Sequence, residues 1–530
     1  MFRKIHIYLL INFVLIFFFD GWNTIKYGVL DYDGSYNATV AANVARSGEY
    51  KISYPKEIVF DNKITTGELV LLPTALLYKL NGINTLSSSL IVLVYSTLAI
   101  IISYLLISDS FAQSLLTKSV VVMMLMMFIL SDRLFGYIST NLVGESACLL
   151  LCVLSGLFLT KYYKKPNSLA IMLSGVCIVA SFLTKSSMIV VFITFCGVIL
   201  LETVIFRSIK LNDFLSFVSG VFLGWIILES YKLFQLGGLH QYFTWWGNEW
   251  QNMMRQSSGV NTSISVLDKV NHLSVIFNTN KYFALFLTFL PITLYLYRIV
   301  LAVKRKDVFV NSSLAILNLG LCGASLIVYF ILLGGQGLFM TRRQWVNQFI
   351  LKIYFVYFIA FLFNWLLLYL FSKNYDFSKF ARCILVSFVI GVLLAYAYPI
   401  ENVTNGFYKV IEKYRNKTYD AQLMEQFLDE VNELPASAVI YCNRWWQEPQ
   451  ISLILNRKMI SVADISSKIE KLDVENGYFV IGRRHDNAHA ADIAKGLGVK
   501  LTKVDKINVN YNSIQSYGSH ELFSIYKMSR

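Results

Sequence analysis

A carboxylate can take a proton from a hydroxyl, and a lysine or arginine can hold a phosphate. This sequence carries both kinds of side chain beside long apolar runs. Asp31 and Asp33 lie two residues apart in "LDYDGSYNATVAANVARSGEY", with Arg46 shortly before Gly48. Asp132 and Arg133 are adjacent, and Glu145 opens the apolar stretch "GESACLLL". Lys185 closes the apolar run "IMLSGVCIVASFLT", and Arg342 and Arg343 stand side by side in "GGQGLFMTRRQW". An acid of this set could act as general base, an effect of about 10²–10⁴-fold in rate. The arginines suit bidentate phosphate contact better than a lysine does. Each residue also has a plainer reading. The Asp31–Asp33 patch could be solvated surface. Lys185 could snorkel to a lipid boundary. Glu145 could sit at a helix start because the dipole favours it there, and Asp132 could simply pair with Arg133.

The elements that must position these residues are membrane spans. The chain has 530 residues, 56% hydrophobic and only 15% charged, where soluble proteins carry about 25% charged residues. Apolar runs about 17–25 residues long match the thickness of a bilayer core. About eleven spans are expected, near 5–20, 85–107, 118–131, 144–161, 168–184, 187–205, 212–231, 281–302, 310–333, 346–371 and 383–399. The first run follows Arg3 and Lys4 and ends in Phe17, Phe18, Phe19 and Asp20 without a small-residue cleavage site, so it reads as a retained anchor.

The net charge of +14 does not point to nucleic acid, because the basic residues cluster in short loops such as Lys161, Lys164 and Lys165, or Lys304, Arg305 and Lys306. Positive loops stay in the cytoplasm. With the N-terminus inside, those clusters all fall on that side, and an odd number of spans puts the C-terminus outside. The candidate acids and bases then gather at the outer ends of spans, from loops far apart in sequence. A pump or carrier would place them near mid-bilayer on broken helices. Acids and bases at the lipid–water boundary suit a substrate with a lipid tail and a phosphate head.

Two long outer loops remain. In the first, 21–84, "TTGELVLLPTALLYKLNGI" is too short to span and contains Pro73, so it reads as a helix lying in the interface. The second, 232–280, holds Trp245, Trp246 and Trp250, which suit either the headgroup belt or stacking on a sugar or lipid. Of the seven cysteines only Cys442 lies outside the apolar runs, and no metal-type cysteine or histidine spacing occurs. From about residue 400 the composition changes. "YKVIEKYRNKTYDAQLMEQFLDEVNELP" has helical periodicity, and "SAVIYC", "KMISVA" and "GYFVIG" read as strands. Residues 401–530 are expected to form a small extracytoplasmic α/β domain, following a membrane domain over 1–400. No Gly-rich nucleotide fingerprint occurs in it.

The chain resembles the GT-C glycosyltransferases, in particular the bacterial branch related to protein O-mannosyltransferases and the lipid A aminoarabinose transferase. The resemblance is carried by "DGSYNATVAANVARSGEY", "TTGELVLLPTALLYKLNGI", "GESACLLL", "LTKSS" and "TRRQW", in that order along about 400 residues. The family's first-loop motif reads Asp-Glu, an aromatic, a small-residue helix and a Gly. Anchoring on Gly48 puts the catalytic acid on Asp33, with Gly34 where Glu is usual and Asn37 where the aromatic is usual. Asp31 is the runner-up.

The resemblance implies a polytopic α-helical GT-C fold in the inner membrane and transfer of a hexose or pentose, with inversion, from an undecaprenyl-phosphate donor. The acceptor would be an envelope glycan or lipid, such as an O-antigen or lipid A part of lipopolysaccharide. Lys185, Arg342 and Arg343 would hold the donor phosphate, with Glu145, Asp132 and Arg133 as possible support. No cofactor is required by that chemistry, although a divalent metal is left open. The alternatives are a lipid or glycan transporter and a whole-glycan ligase. As a boundary residue, Lys185 is expected to tolerate replacement by Ala without loss of folding.

Overall fold

The structure is a computed structural model. It describes residues 5–27, 30, 32–52, 58–61, 64, 66–111, 114–258, 264–303, 311–333, 341–370, 390, 433–435, 437–442, 459–461, 473–482, 494–495, 498–504 and 523–529.

Fifteen α-helices are present among the described residues. They are α1 (Ile5–Tyr27), α2 (Tyr32–Ser47), α3 (Glu68–Asn81), α4 (Thr85–Ser108), α5 (Leu115–Ser131), α6 (Arg133–Thr140), α7 (Glu145–Lys164) and α8 (Ser168–Thr184). There follow α9 (Ile189–Val204), α10 (Leu211–Leu236), α11 (Leu239–Ser258), α12 (Val266–Phe277), α13 (Lys281–Val303), α14 (Asn311–Leu333) and α15 (Thr341–Leu370). Eight of the described helices are long and apolar enough to cross a membrane, or nine if α5 and α6 count as one broken span. The protein is thus a multi-pass membrane protein. The fifth expected span, α8, is a shorter apolar helix. The eleventh, 383–399, lies outside the described residues except for residue 390, as does all of 401–432.

Local chemistry sets several helix starts. Asn84 accepts from the Ser87 N–H, Ser114 from Thr117 and Asn167 from Leu169, each satisfying an amide that the helix cannot pair internally. The central helix is α7, mostly apolar, with fifteen of its residues between Glu145 and Tyr163 buried, as a helix largely enclosed by others should be. It packs on α4, α8 and α14. Helices α8 and α10 approach closely through glycines. A Cβ on Gly220 would lie 2.1 Å from the Met172 carbonyl, and one on Gly175 2.4 Å from that of Phe217. Small residues let helix backbones meet where lipid supplies no hydrophobic drive between helices.

Short strands β1 (Lys51–Ile52) and β2 (Ile58–Val59) pair antiparallel between α2 and α3. The C-terminal part contains β3 (Val439–Cys442), β4 (Met459–Ser461), β5 (Gly477–Gly482), β6 (Lys500–Lys503) and β7 (Phe523–Ser529). They form one sheet in the order β4-β3-β5-β7-β6. Its first three strands are parallel, while β7 runs antiparallel to both neighbours. Tyr441, Phe479, Tyr526 and Met528 make its core. Three of these strands are the ones the sequence marks. Strands β6 and β7 are additional.

Candidate active site

Four of the sequence segments singled out above meet at the N-terminal end of α7. Asn37, in α2, donates from Nδ2 to the Thr66 hydroxyl at 2.9 Å and to the Leu142 carbonyl, 105 residues away, at 2.8 Å. The Tyr50 hydroxyl donates to the Thr66 carbonyl at 2.9 Å. The Gly67 N–H donates to the Thr184 carbonyl at 2.8 Å. Only glycine permits this approach, since a Cβ there would lie 2.7 Å from the Leu183 carbonyl oxygen and 2.8 Å from the Thr184 Cα. The next residue along, Lys185, ends α8 and donates from Nζ to Glu145 Oε1 at 2.6 Å, with both side chains buried. First loop, α7 and α8 are thus held together by polar contacts at one place.

Asp33 sits in the first turn of α2 and is half-buried. It precedes Asn37 by one turn on the same helix face, about 6 Å along the axis. Gly48 has φ +78° and its N–H closes the end of α2 onto the Val44 carbonyl, the left-handed helix stop that glycine favours. Its own carbonyl accepts from Tyr231 at 3.3 Å and Gln235 at 3.1 Å, which fastens the far end of α2 to α10. Asp31 lies outside the described residues.

Three plainer readings need correction. Lys185 does not reach out to a boundary. It is enclosed and balanced by Glu145, so its ammonium is part of a buried pair. Glu145 is likewise more than an acid drawn to a helix start. Asp132 does not depend on Arg133 for its charge partner. Its Oδ1 caps α6 through the N–H groups of Leu134 at 3.0 Å and Phe135 at 3.2 Å. Its Oδ2 accepts from Lys352 at 2.8 Å and Gln348 at 3.3 Å. Both oxygens are engaged, which suits an anchor rather than a proton acceptor. This anchor also explains the break between α5 and α6, where the chain bends by 83°. The side chains of Arg133 and Arg342 lie outside the described residues, while Arg343 is half-buried near the start of α15. The Asp132–Lys352 group and the Glu145–Lys185 group stand at opposite ends of the short helix α6.

The sequence reading missed several charged residues. Glu68 opens α3 beside Gly67 and lies 3.7 Å from Lys232 of α10, which also holds Glu229 at 2.7 Å. Burial pushes the Glu68 carboxyl up, and the Lys232 ammonium pulls it back. The Trp245 ring covers Lys232, 4.0 Å from ammonium to centroid, and Trp246 donates to Glu229 at 3.1 Å. Two of the three outer-loop tryptophans therefore close a buried charge cluster, whereas Trp250 is exposed. Glu202 and Arg298 form a further buried pair between α9 and α13. The available signal was a charge inside an apolar run, as in "ILESYKLF", "LLETV" and "QFILKIYF". Lys352 lies about 16 Å into α15, so not every charge gathers at a span end.

No family model and no curated protein matches the sequence. Among solved structures the chain is similar to ArnT from Cupriavidus metallidurans in the apo state, with TM-score 0.56 and 13% identity over 98% of this chain and 97% of that one. It is also similar to the same ArnT bound to undecaprenyl phosphate, with TM-score 0.53 and 11% identity over 99% and 98%. At these identities the likeness is one of fold. The chain shares the fold of these structures along nearly its whole length.

Proposed function

We propose that this protein is a GT-C glycosyltransferase that moves a sugar from a polyprenyl phosphate to a hydroxyl of an envelope glycan or lipid, on the outer face of the cytoplasmic membrane. The observation that supports this reading is the meeting of the first loop with α7 and α8, where Asn37, one turn after Asp33, bonds Thr66 and Leu142, and Gly67 bonds Thr184 next to the Glu145–Lys185 pair. The fold shared with a structure that holds undecaprenyl phosphate supports the choice of donor.

Asp33 accepts the proton of the acceptor hydroxyl. The hydroxyl oxygen attacks the anomeric carbon, the bond from that carbon to the phosphate oxygen breaks, and polyprenyl phosphate departs with the electron pair. Attack opposite the leaving group inverts the anomeric centre. Arg342 and Arg343 stabilise the departing phosphate. Lys185, already balanced by Glu145, contributes less charge than the sequence suggests and serves chiefly to fix the site.

Mass spectrometry of envelope glycans tests this. Cells that make the protein should contain a glycan or lipid heavier by one sugar than cells that lack it. Identical profiles would reject the reading. The side of the membrane is tested separately. A reporter active only outside the cytoplasm should work when fused after Arg530 and stay silent after Lys165, and the reverse pattern would place the site on the inner face.

A further inference from the structure

One face of α15 changes character along its length. Residues 344, 348, 352, 355 and 359 share that face by helical spacing. The first three are Gln344, Gln348 and Lys352, and the last two are Phe355 and Ile359. Asn347 borders the polar part. Gln344, Asn347 and Gln348 are all buried, at 0%, 0% and 1% exposure. Among the described residues, both amide atoms of Gln344, both of Asn347, Oε1 of Gln348 and the indole N–H of Trp345 have no hydrogen-bond partner. A buried polar group left without a hydrogen bond is destabilising, and lipid around the bundle offers no relief. These six atoms fall within about one and a half helical turns. Beyond Lys352 this face continues with the buried Phe355 and Ile359.

The chemistry of the set is specific. It offers three donors and three acceptors, all uncharged. Lys352, the nearest charge on this face, is paired with Asp132. Aromatic rings adjoin it, with Trp345 packed on Phe135 and Phe349 at centroid distances of 5.5 and 5.3 Å. A phosphate would use only the donors, and a cation only the acceptors. A ring of hydroxyl groups uses both. Arg343 precedes Asn347 by one turn, about 6 Å, roughly the width of one sugar ring. In the donor proposed above, the sugar is bonded directly to the phosphate.

We propose that Gln344, Asn347 and Gln348 bind the hydroxyl groups of the donor sugar while Arg343 holds its phosphate. This rests on the reading of the protein as a polyprenyl-phosphate-dependent transferase. It assigns sugar selectivity to α15, apart from the acid in the first loop.

The test uses the purified full-length protein in detergent, with Asn347→Leu and Gln344→Leu. Thermal stability is measured with no ligand, with undecaprenyl phosphate, and with undecaprenyl phosphate carrying glucose, galactose, mannose or arabinose in turn. The wild type should be stabilised more by at least one sugar-bearing donor than by the bare carrier. The variants should bind the bare carrier as the wild type does and lose about tenfold or more in affinity for that donor. Without ligand they should melt at or above the wild-type temperature, because an apolar group of similar shape replaces an unsatisfied amide. Variants that keep the sugar preference would overturn the proposal, as would a wild type that never prefers a sugar-bearing donor. A large loss of stability without ligand would also overturn it, since the amides would then be bonded to structural water. Indifference of the wild type to undecaprenyl phosphate itself would instead reject the proposed donor.

Discussion

Asp33→Asn should lower sugar transfer by about 10²–10⁴-fold and leave the protein folded. Asn keeps the size of Asp and most of its hydrogen bonds, and structurally it loses only the modest dipole interaction of a charge in the first turn. What it loses chemically is the ability to take a proton. The helix that carries Asp33 is held independently of that residue, by Asn37 at one turn's distance and by the Gly48 carbonyl at its far end. Loss of transfer without loss of structure would therefore report on proton acceptance. The measurement is transfer from a polyprenyl-phosphate sugar by purified wild type and variant, with folding followed by gel filtration in detergent. Asp31→Asn should cost far less. Full activity in Asp33→Asn would return "DYDGSY" to solvated surface, and loss in Asp31→Asn alone would move the base two residues upstream.

The parts of the fold legible in the sequence were those set by length and polarity. An apolar run of span length must become a buried or lipid-facing helix, so ten of the expected spans fall on described helices. The strands of "SAVIYC" and "GYFVIG" show in the same way, through runs of β-branched and aromatic residues. The broken α5–α6 unit was not legible. Its cause is the carboxylate of Asp132, which caps one helix while bonding Lys352, 220 residues away.

In the site, residue type was visible and partnership was not. Lys185 and Glu145 stand out in the sequence as charges at the ends of apolar runs, but nothing in their spacing shows that they pair across 40 residues. Asn37 looked like a departure from the family pattern, where an aromatic is usual. In the structure its amide ties the first loop to the start of α7. Its side-chain oxygen has no hydrogen-bond partner among the described residues, leaving an acceptor beside the proposed base. Gln344 and Asn347 passed unnoticed because a neutral amide near the end of a span is ordinary. Only burial makes them unusual.

The pairing of Lys185 with Glu145 argues against the expectation that Lys185→Ala would weaken donor use while leaving the protein folded. The substitution removes the ammonium 2.6 Å from a carboxylate that is 1% exposed. Breaking a buried pair from one side costs about 3–5 kcal/mol, because the remaining charge keeps its desolvation penalty. Lys185→Ala should therefore melt well below the wild type in detergent. Removing both charges should not. Glu145→Gln combined with Lys185→Met keeps the volume and takes the charge out of the interior, a change that is often neutral or stabilising. That double variant then separates two roles. If the pair only fixes the loop against α7 and α8, the double variant folds and transfers sugar. If Lys185 also contacts the donor phosphate, it folds, binds undecaprenyl phosphate weakly and transfers slowly, because the leaving charge has lost a partner. A wild-type melting temperature for Lys185→Ala would mean that the buried pair contributes little, and would restore the picture of a lysine free to reach the boundary.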